Sequence, residues 1–279
     1  MMRTGVVACA VAAIVVSMLM SGGALADTVQ TFDTAGSITL ASSETPGAWY
    51  VDRYPPSVFA AGQTAPGDPT GVLEEGVAGT DYQSDSFYNY QGRKYDVNLL
   101  GPTQSISIDL YVSNYMLTNW TDVGIWATGV NSTLPATDPN YISAYPIIEF
   151  QTPPPFDPDS AFYTFDYNGY SNPNGAWIDG TSVSNAGWYN LEMVLTVGTG
   201  MQYYLNGSLF ATYGDPYTTN LSNVMLEVGN FGFDYDVSWD NLAALSTPEP
   251  ISMIFFGTGL VAVSGYVARK KMQRKTAAG

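Results

Sequence analysis

Apolar and polar positions alternate with a period of two through much of this chain. In Ser105 to Val112, SISIDLYV, the residues Ile106, Ile108, Leu110 and Val112 fall on one side. In Trp188 to Val197, WYNLEMVLTV, the residues Tyr189, Leu191, Met193, Leu195 and Val197 fall on one side, with Trp188, Asn190, Glu192, Val194 and Thr196 on the other. Strand side chains point to opposite faces in turn, so each run predicts a strand with one buried and one wet face, as in antiparallel sheets. Shorter aromatic or β-branched runs predict further strands over 37–41, 145–151, 161–167, 201–205, 208–213, 223–230 and 235–245. Asn206-Gly207 between two of them is a hairpin signal, because both residues tolerate positive φ in a type I′ turn. The Pro-rich stretches 54–70 and 152–160 are predicted as loops. No helical period is sustained between 27 and 246.

Two apolar runs lie outside this alternating body. The chain begins with Arg3, an apolar stretch from Gly5 to Met20, and small residues ending Ala24-Leu25-Ala26. That order is the mark of a secretory signal peptide cut after Ala26, using the Sec translocon. At the far end Ile251 to Ala268 carries no charge, and as a helix it would span roughly 27 Å, enough for the hydrocarbon core of a bilayer. Arg269, Lys270, Lys271, Arg274 and Lys275 follow it and would stay on the cytoplasmic side, leaving everything before Pro248 outside. The prolines of Pro248-Glu249-Pro250 disfavour helix, which keeps that segment extended at the membrane face.

Thr247-Pro248-Glu249-Pro250, the apolar helix and the terminal basic cluster together resemble the PEP-CTERM sorting signal. The resemblance implies export, an anchor in the inner membrane that is at least transient, processing near the motif by an exosortase, and a final place at the cell surface or in the extracellular matrix. Ile251-Ser252 after the motif departs from the commonest form and leaves the exosortase subtype open. The domain plan is thus a signal peptide over 1–26, an extracytoplasmic domain over 27–246, the motif over 247–250, a transmembrane helix over 251–268 and a basic tail over 269–279.

Composition narrows what the middle can do. Residues 27–246 contain no cysteine, so no disulfide staples the domain, and 220 residues bury a sizeable core unaided. They hold 24 acids and three bases, Arg53, Arg93 and Lys94. Such a surface repels nucleic acid. Histidine is absent throughout. Ser/His/Asp and Cys/His triads are therefore excluded, along with the usual zinc ligand.

GWYNLEMVLTVGTGMQYYLNGSLF, Gly187 to Phe210, is similar to the two-strand unit of concanavalin-like and laminin-G-like jelly rolls, and VSWDNLAAL, Val237 to Leu245, to their closing strand. The resemblance implies an all-β, antiparallel jelly-roll sandwich. It also implies a structural calcium ion near the last strand, for which Asp234, Asp236, Asp240 and Asn241 supply hard oxygen ligands; Asp157 and Asp159 form a second acidic pair. Sugar recognition on such a scaffold pairs aromatic faces with amides and carboxylates, and the aromatic residues in Asn/Gly/Asp-flanked segments are Trp120, Trp126 and Trp177, with Asp179 beside the last. Trp188 and Trp239, within predicted strands, read as sheet surface or core. Related glucanases carry E-x-D-x-x-E on one strand, and no such string occurs here: Glu192 and Glu227 each stand alone in an apolar run.

These features together give the expectation of a non-enzymatic structural or binding component associated with exopolysaccharide. A lectin-like module, with calcium, is the alternative, and a divergent glycoside hydrolase stands third. A cleft in which two acids converge is the observation that separates the last from the others.

Overall fold

The computed structural model describes residues 28–84, 89–152, 160–168 and 172–247. The leader, the motif Pro248-Glu249-Pro250, the apolar segment 251–268, the basic cluster and the Asp157/Asp159 pair lie outside the described residues. No helix among the described residues is long and apolar enough to cross a membrane.

The first half of the chain forms β1 (Thr28–Gln30), β2 (Leu40–Ala41), β3 (Trp49–Val51), β4 (Val58–Ala65), β5 (Asp68–Val77), β6 (Tyr90–Asp96), β7 (Thr103–Val112) and β8 (Thr121–Val130). The second forms β9 (Ile142–Thr152), β10 (Ala161–Asn168), β11 (Asn172–Ser182), β12 (Gly187–Thr196), β13 (Gly200–Leu205), β14 (Ser208–Gly214), β15 (Asn220–Gly229) and β16 (Tyr235–Thr247). One sheet runs β14-β13-β12-β7-β16-β5-β4 with β1 on β16, and the other β11-β10-β9-β8-β15-β6-β3-β2. Apart from the parallel β2–β3 pair, neighbours are antiparallel. Strands distant in sequence, such as β7 and β16 or β8 and β15, lie side by side. The chain is a two-sheet β-sandwich.

The alternation of β7 is reproduced residue for residue: Ile106, Ile108, Leu110 and Val112 are fully buried against the opposite sheet. From β12 come Leu191, Met193 and Leu195, and from the facing sheet Val123, Ile125, Ile148, Phe150, Phe162, Val224, Leu226 and Val228. Two tryptophans, Trp49 and Trp239, are enclosed with them. Removing this area from water drives the two sheets together. The Asn206-Gly207 turn joins β13 to β14 with φ of 51° and 72°, the left-handed values that a type I′ hairpin requires. At Asn241, φ 52°, a bulge in β16 moves its pairing from β5 to β1.

Three expectations are corrected. Residues 54–70 are not a loop: Val58–Ala65 and Asp68 onward pair as β4 and β5, because Pro55 and Pro56 precede β4, Pro66 occupies the turn and Pro69 falls in the irregularity between the Asp68 and Val72 pairs, where proline removes no ladder bond. The segments around Trp126 and Trp177, absent from the predicted strands, are the strands β8 and β11. The predicted strand at 37–41 shrinks to Leu40–Ala41.

An acid sits inside the sandwich. Glu75, on β5, is fully buried, and its Oε2 accepts a 2.8 Å hydrogen bond from Trp239 Nε1. Burial pushes its pKa up to about 8, although that bond and the charge of Arg93 pull the other way. Glu75 is thus protonated in the fold and ionised in the unfolded chain from about pH 4.5 to pH 8, so this residue's contribution to stability falls as pH rises through that window. The expected consequence is a melting temperature that declines between about pH 5 and pH 8, by the equivalent of roughly 4 kcal/mol or less from this residue. Glu75→Gln, measured by calorimetry across that range, flattens the decline.

Candidate functional site

The outer face of the second sheet carries a groove of about 910 Å³. Its floor follows from strand register. Lys94, Met225, Trp126, Ile147, Phe165 and Trp177 form one row across β6, β15, β8, β9, β10 and β11. The next row reads Gly92, Glu227, Gly124, Glu149 and Tyr163. Two glutamates therefore alternate with two glycines, and the glycines make room for them. A Cβ on Gly124 would lie 2.4 Å from Glu149 Cγ, and one on Gly92 would lie 2.6 Å from Glu227 Oε2.

Glu149 is fully buried and forms a hydrogen-bonded pair with the carboxyl of Asp122, on β8. Tyr90 OH donates to Asp122 Oδ2 at 2.7 Å, and Gln151 Nε2 donates to Glu149 Oε2 at 2.8 Å. Burial, reinforced by the neighbouring charge of Asp122, pushes Glu149 well above the usual carboxylate range. Burial also raises Asp122, but the hydrogen bonds from Glu149 and Tyr90 limit the rise to about 6. The pair therefore holds its proton on Glu149 while Asp122 ionises first. Environments that separate two neighbouring acids in this way mark a proton donor and its partner.

Glu227 stands on the other side of β8, two strand spacings or roughly 9–10 Å from Glu149 along the backbone row. It too is fully buried, and burial followed by the charge of Asp52 holds it toward the neutral acid. Arg53 opposes this from 3.9 Å, and its guanidinium also lies 4.6 Å from the centre of the Trp126 ring. Tyr90 meets Trp126 edge-on at 4.8 Å. Arg53 and the aromatic pair thus border the three acids on the groove side.

The sugar-binding residues named from sequence separate. Trp126 lines the groove at 4% exposure, and Trp177, 45% exposed on the edge strand β11, packs beside Phe165 at 5.0 Å. Asp179 sits two positions further along β11, its backbone opposite Tyr163. Trp120, 42% exposed, stands just before β8 and stacks on Phe231 at 4.3 Å. Trp188 lies on the outer face of the other sheet, where its Nε1 donates to Pro66 O at 2.9 Å.

The residues named for calcium do not form one cluster. Asp234 Oδ1 accepts from the backbone of Gly79 at 2.6 Å, and Asp236 lies against Gly76. Asp240 and Asn241 are together, joined by a 3.0 Å bond and linked to Asp68 and Asp109. Among the described residues no group of three or more His, Cys, Asp or Glu is placed to hold a metal.

Compared with solved structures, the chain is similar to a glycoside hydrolase family 16 endo-glucanase from Bacteroides ovatus, with a TM-score of 0.52 and 9% identity over 78% of this chain and 99% of that one. It is also similar to a GlcNAcα1-4Gal-releasing endo-β-galactosidase from Clostridium perfringens, with a TM-score of 0.51 and 10% identity over 78% of this chain and 61% of that one. A sialidase overlaps 80% of this chain at a TM-score of 0.48 and 14% identity, and there the chain spans 18% of the other protein's length. No family model matches the chain, and no characterised protein matches it by sequence. At these identities the likeness is one of fold.

The expectation of a non-enzymatic component is overturned. It rested on acids that stood alone in sequence. Asp122 and Glu149 come from two strands and meet behind the groove lining, with Glu227 across β8 from them, on the fold that the two endo-glycanases share. Asp122 and Glu149 escape a reading that looks for the acids along a single strand. A second signal is present in the glycine opposite each glutamate, but it is visible only once register is known.

Gly124→Ala tests the packing of the site. The added methyl meets Glu149 Cγ, Ile148 O at 2.9 Å and Trp126 Nε1 at 2.9 Å, two of them inflexible. The expected cost is about 1–3 kcal/mol, read as a lowered unfolding midpoint in denaturant.

Proposed function

We propose that the protein is an exported glycoside hydrolase whose groove binds an extended glycan and cleaves it with Glu149, Asp122 and Glu227. The observation that carries this reading is the Glu149–Asp122 pair, with one acid kept protonated and the other able to ionise, at the side of an aromatic-lined groove. The fold shared with two endo-acting glycanases supports it.

In this mechanism Glu149 gives its proton to the glycosidic oxygen as the carbon–oxygen bond breaks. A water adds to the anomeric carbon and gives up its proton to Asp122, which is ionised above about pH 6, and passage of that proton from Asp122 to Glu149 restores the pair. Glu227 is the carboxyl on the far side of β8. Trp177, exposed on β11, supplies a face on which a sugar ring stacks.

The leader and the tail that resembles a PEP-CTERM signal support export, with the domain released or anchored outside the cytoplasm. N-terminal sequencing of protein recovered from cell fractions is expected to begin at Asp27; cytosolic protein that keeps Met1 removes this part of the reading.

For catalysis, the full chain purified in mild detergent is assayed for new reducing ends on a panel of neutral and acidic polysaccharides. Activity on at least one polymer is expected, with an acid limb in kcat/KM near pH 6 that belongs to the Glu149–Asp122 pair. Glu149→Gln is expected to lower kcat at least about 100-fold while the circular dichroism spectrum is retained. No cleavage of any polymer, or full activity in Glu149→Gln, rejects the proposal.

A further inference from the structure

An aromatic pair stands in the open on the side of Asp122 away from the groove. The rings of Trp120 and Phe231 have centres 4.3 Å apart and planes 14° from parallel, yet Trp120 is 42% exposed. Phe231 covers one face of the indole, so the exposure belongs to the opposite face and the edge. A single apolar side chain in water is ordinary, but a stacked pair beside a cleft is a flat surface shaped to receive a ring.

The backbone sets this pair against the acids. A Cβ on Gly229 would lie 3.0 Å from Asp122 Cβ and 3.0 Å from Phe231 Cε2, so the missing side chain is what lets the phenyl ring and the acid stand side by side. Trp120 precedes Asp122 by two positions, and residues two apart in extended chain share a face roughly 7 Å from each other. Trp126, at the groove, lies four positions beyond Asp122 on that face. Roughly 20 Å therefore separates the two tryptophans, with Asp122 and, against Gly124, Glu149 between them.

Both segments that carry the pair are pinned. Asn230 N donates to Asn89 O at 2.9 Å and its Nδ2 to Ala78 O at 2.7 Å, while its Oδ1 accepts from Gly232 N at 3.0 Å, which fixes the turn around Phe231. Asn119 donates to Tyr115 O from N at 3.0 Å and from Nδ2 at 2.9 Å, and Thr121 Oγ1 donates to Met116 O at 3.2 Å, so the residues on either side of Trp120 are held. An aromatic face already in place loses little freedom when a ligand meets it.

We infer that the free face of Trp120, backed by Phe231, is a second sugar-binding subsite, which takes the apolar face of a pyranose ring. The inference rests on the glycan-binding part of the reading above. Groove and platform then hold one glycan on both sides of the Asp122–Glu149 pair. The C–H face of the sugar covers the indole, and its hydroxyls stay at the ring edge in water. The subsite reads shape and not charge, so it accepts any unit of the chain that presents such a face.

The test is affinity electrophoresis of full-chain Glu149→Gln, in which binding is read without cleavage, in nondenaturing gels containing β-glucan, galactan, xylan or polygalacturonate. At least one polymer is expected to retard the protein. Trp120→Ala in the same background is expected to weaken that retention about three- to tenfold, as for loss of one aromatic contact. Trp120→Tyr, which keeps a flat face, is expected to restore most of the affinity, whereas Trp120→Leu, apolar but without such a face, is not. A residue that only packs would be replaced as well by leucine as by tyrosine. Unchanged retention in Trp120→Ala, or equal restoration by Leu and Tyr, overturns the inference, and so does a failure of every polymer to retard the protein. With Glu149 intact, a polymer that Trp120→Ala binds and cleaves as the parent does leaves the hydrolase reading standing without the subsite. Trp120-dependent retention by a polymer that is never cleaved keeps the subsite and removes the hydrolase reading.

Discussion

The pairing of β8 between β9 and β15 is the constraint on which the groove depends. All ten residues of β8 are buried, because one face packs into the sandwich through Val123, Ile125 and Ala127 while the other forms the groove floor. A strand covered on both faces has no wet side on which to place acids cheaply. Asp122, Glu149 and Glu227 nevertheless stand in or beside it, and their environment decides their chemistry: they are kept neutral or made to share protons because charge is expensive there. The strongest polar network in this region, Tyr90 to Asp122 to Glu149 to Gln151, is what that burial requires.

The same logic separates the two sides of the molecule. On the outer face of the other sheet, Asp109, Asn190, Asp240 and Asn241 satisfy one another through side-chain bonds of 2.8–3.0 Å. On the groove side a glutamate faces a cation at 3.9 Å, and a buried amide oxygen has no partner. A polar surface that closes on itself needs no ligand. One that leaves a buried acceptor is completed by something that brings a donor.

Acids can be brought together on such a sheet without an E-x-D-x-x-E string. Cross-strand neighbours on an antiparallel sheet are as close as residues two apart on one strand. A trio of acids can therefore be assembled across β8, β9 and β15 instead of along one of them, provided that small residues occupy the intervening positions. Gly92 and Gly124 fill that requirement.

The amino-acid pattern by itself determined the class of fold. Period-two alternation in β7 and β12 and the Asn206-Gly207 turn are local, and a strand with an apolar face has one way to bury it, so these elements are legible in the residues alone. The acidic, cysteine-free character of the body is equally plain. Where local signals fall short, the cause is also physical: β8 is missing from the strands predicted by alternation because Asp122, Gly124, Thr128 and Gly129 interrupt its apolar run, and Gly124 is small so that Glu149 can lie against it. Tertiary structure alone decided that Glu149 and Asp122 meet with Glu227 across β8 from them, that Trp126 is floor and not rim, and that Arg53 and Lys94 share Asp52. Those contacts join residues tens to more than a hundred positions apart, and only the register of one strand against the next brings them within reach.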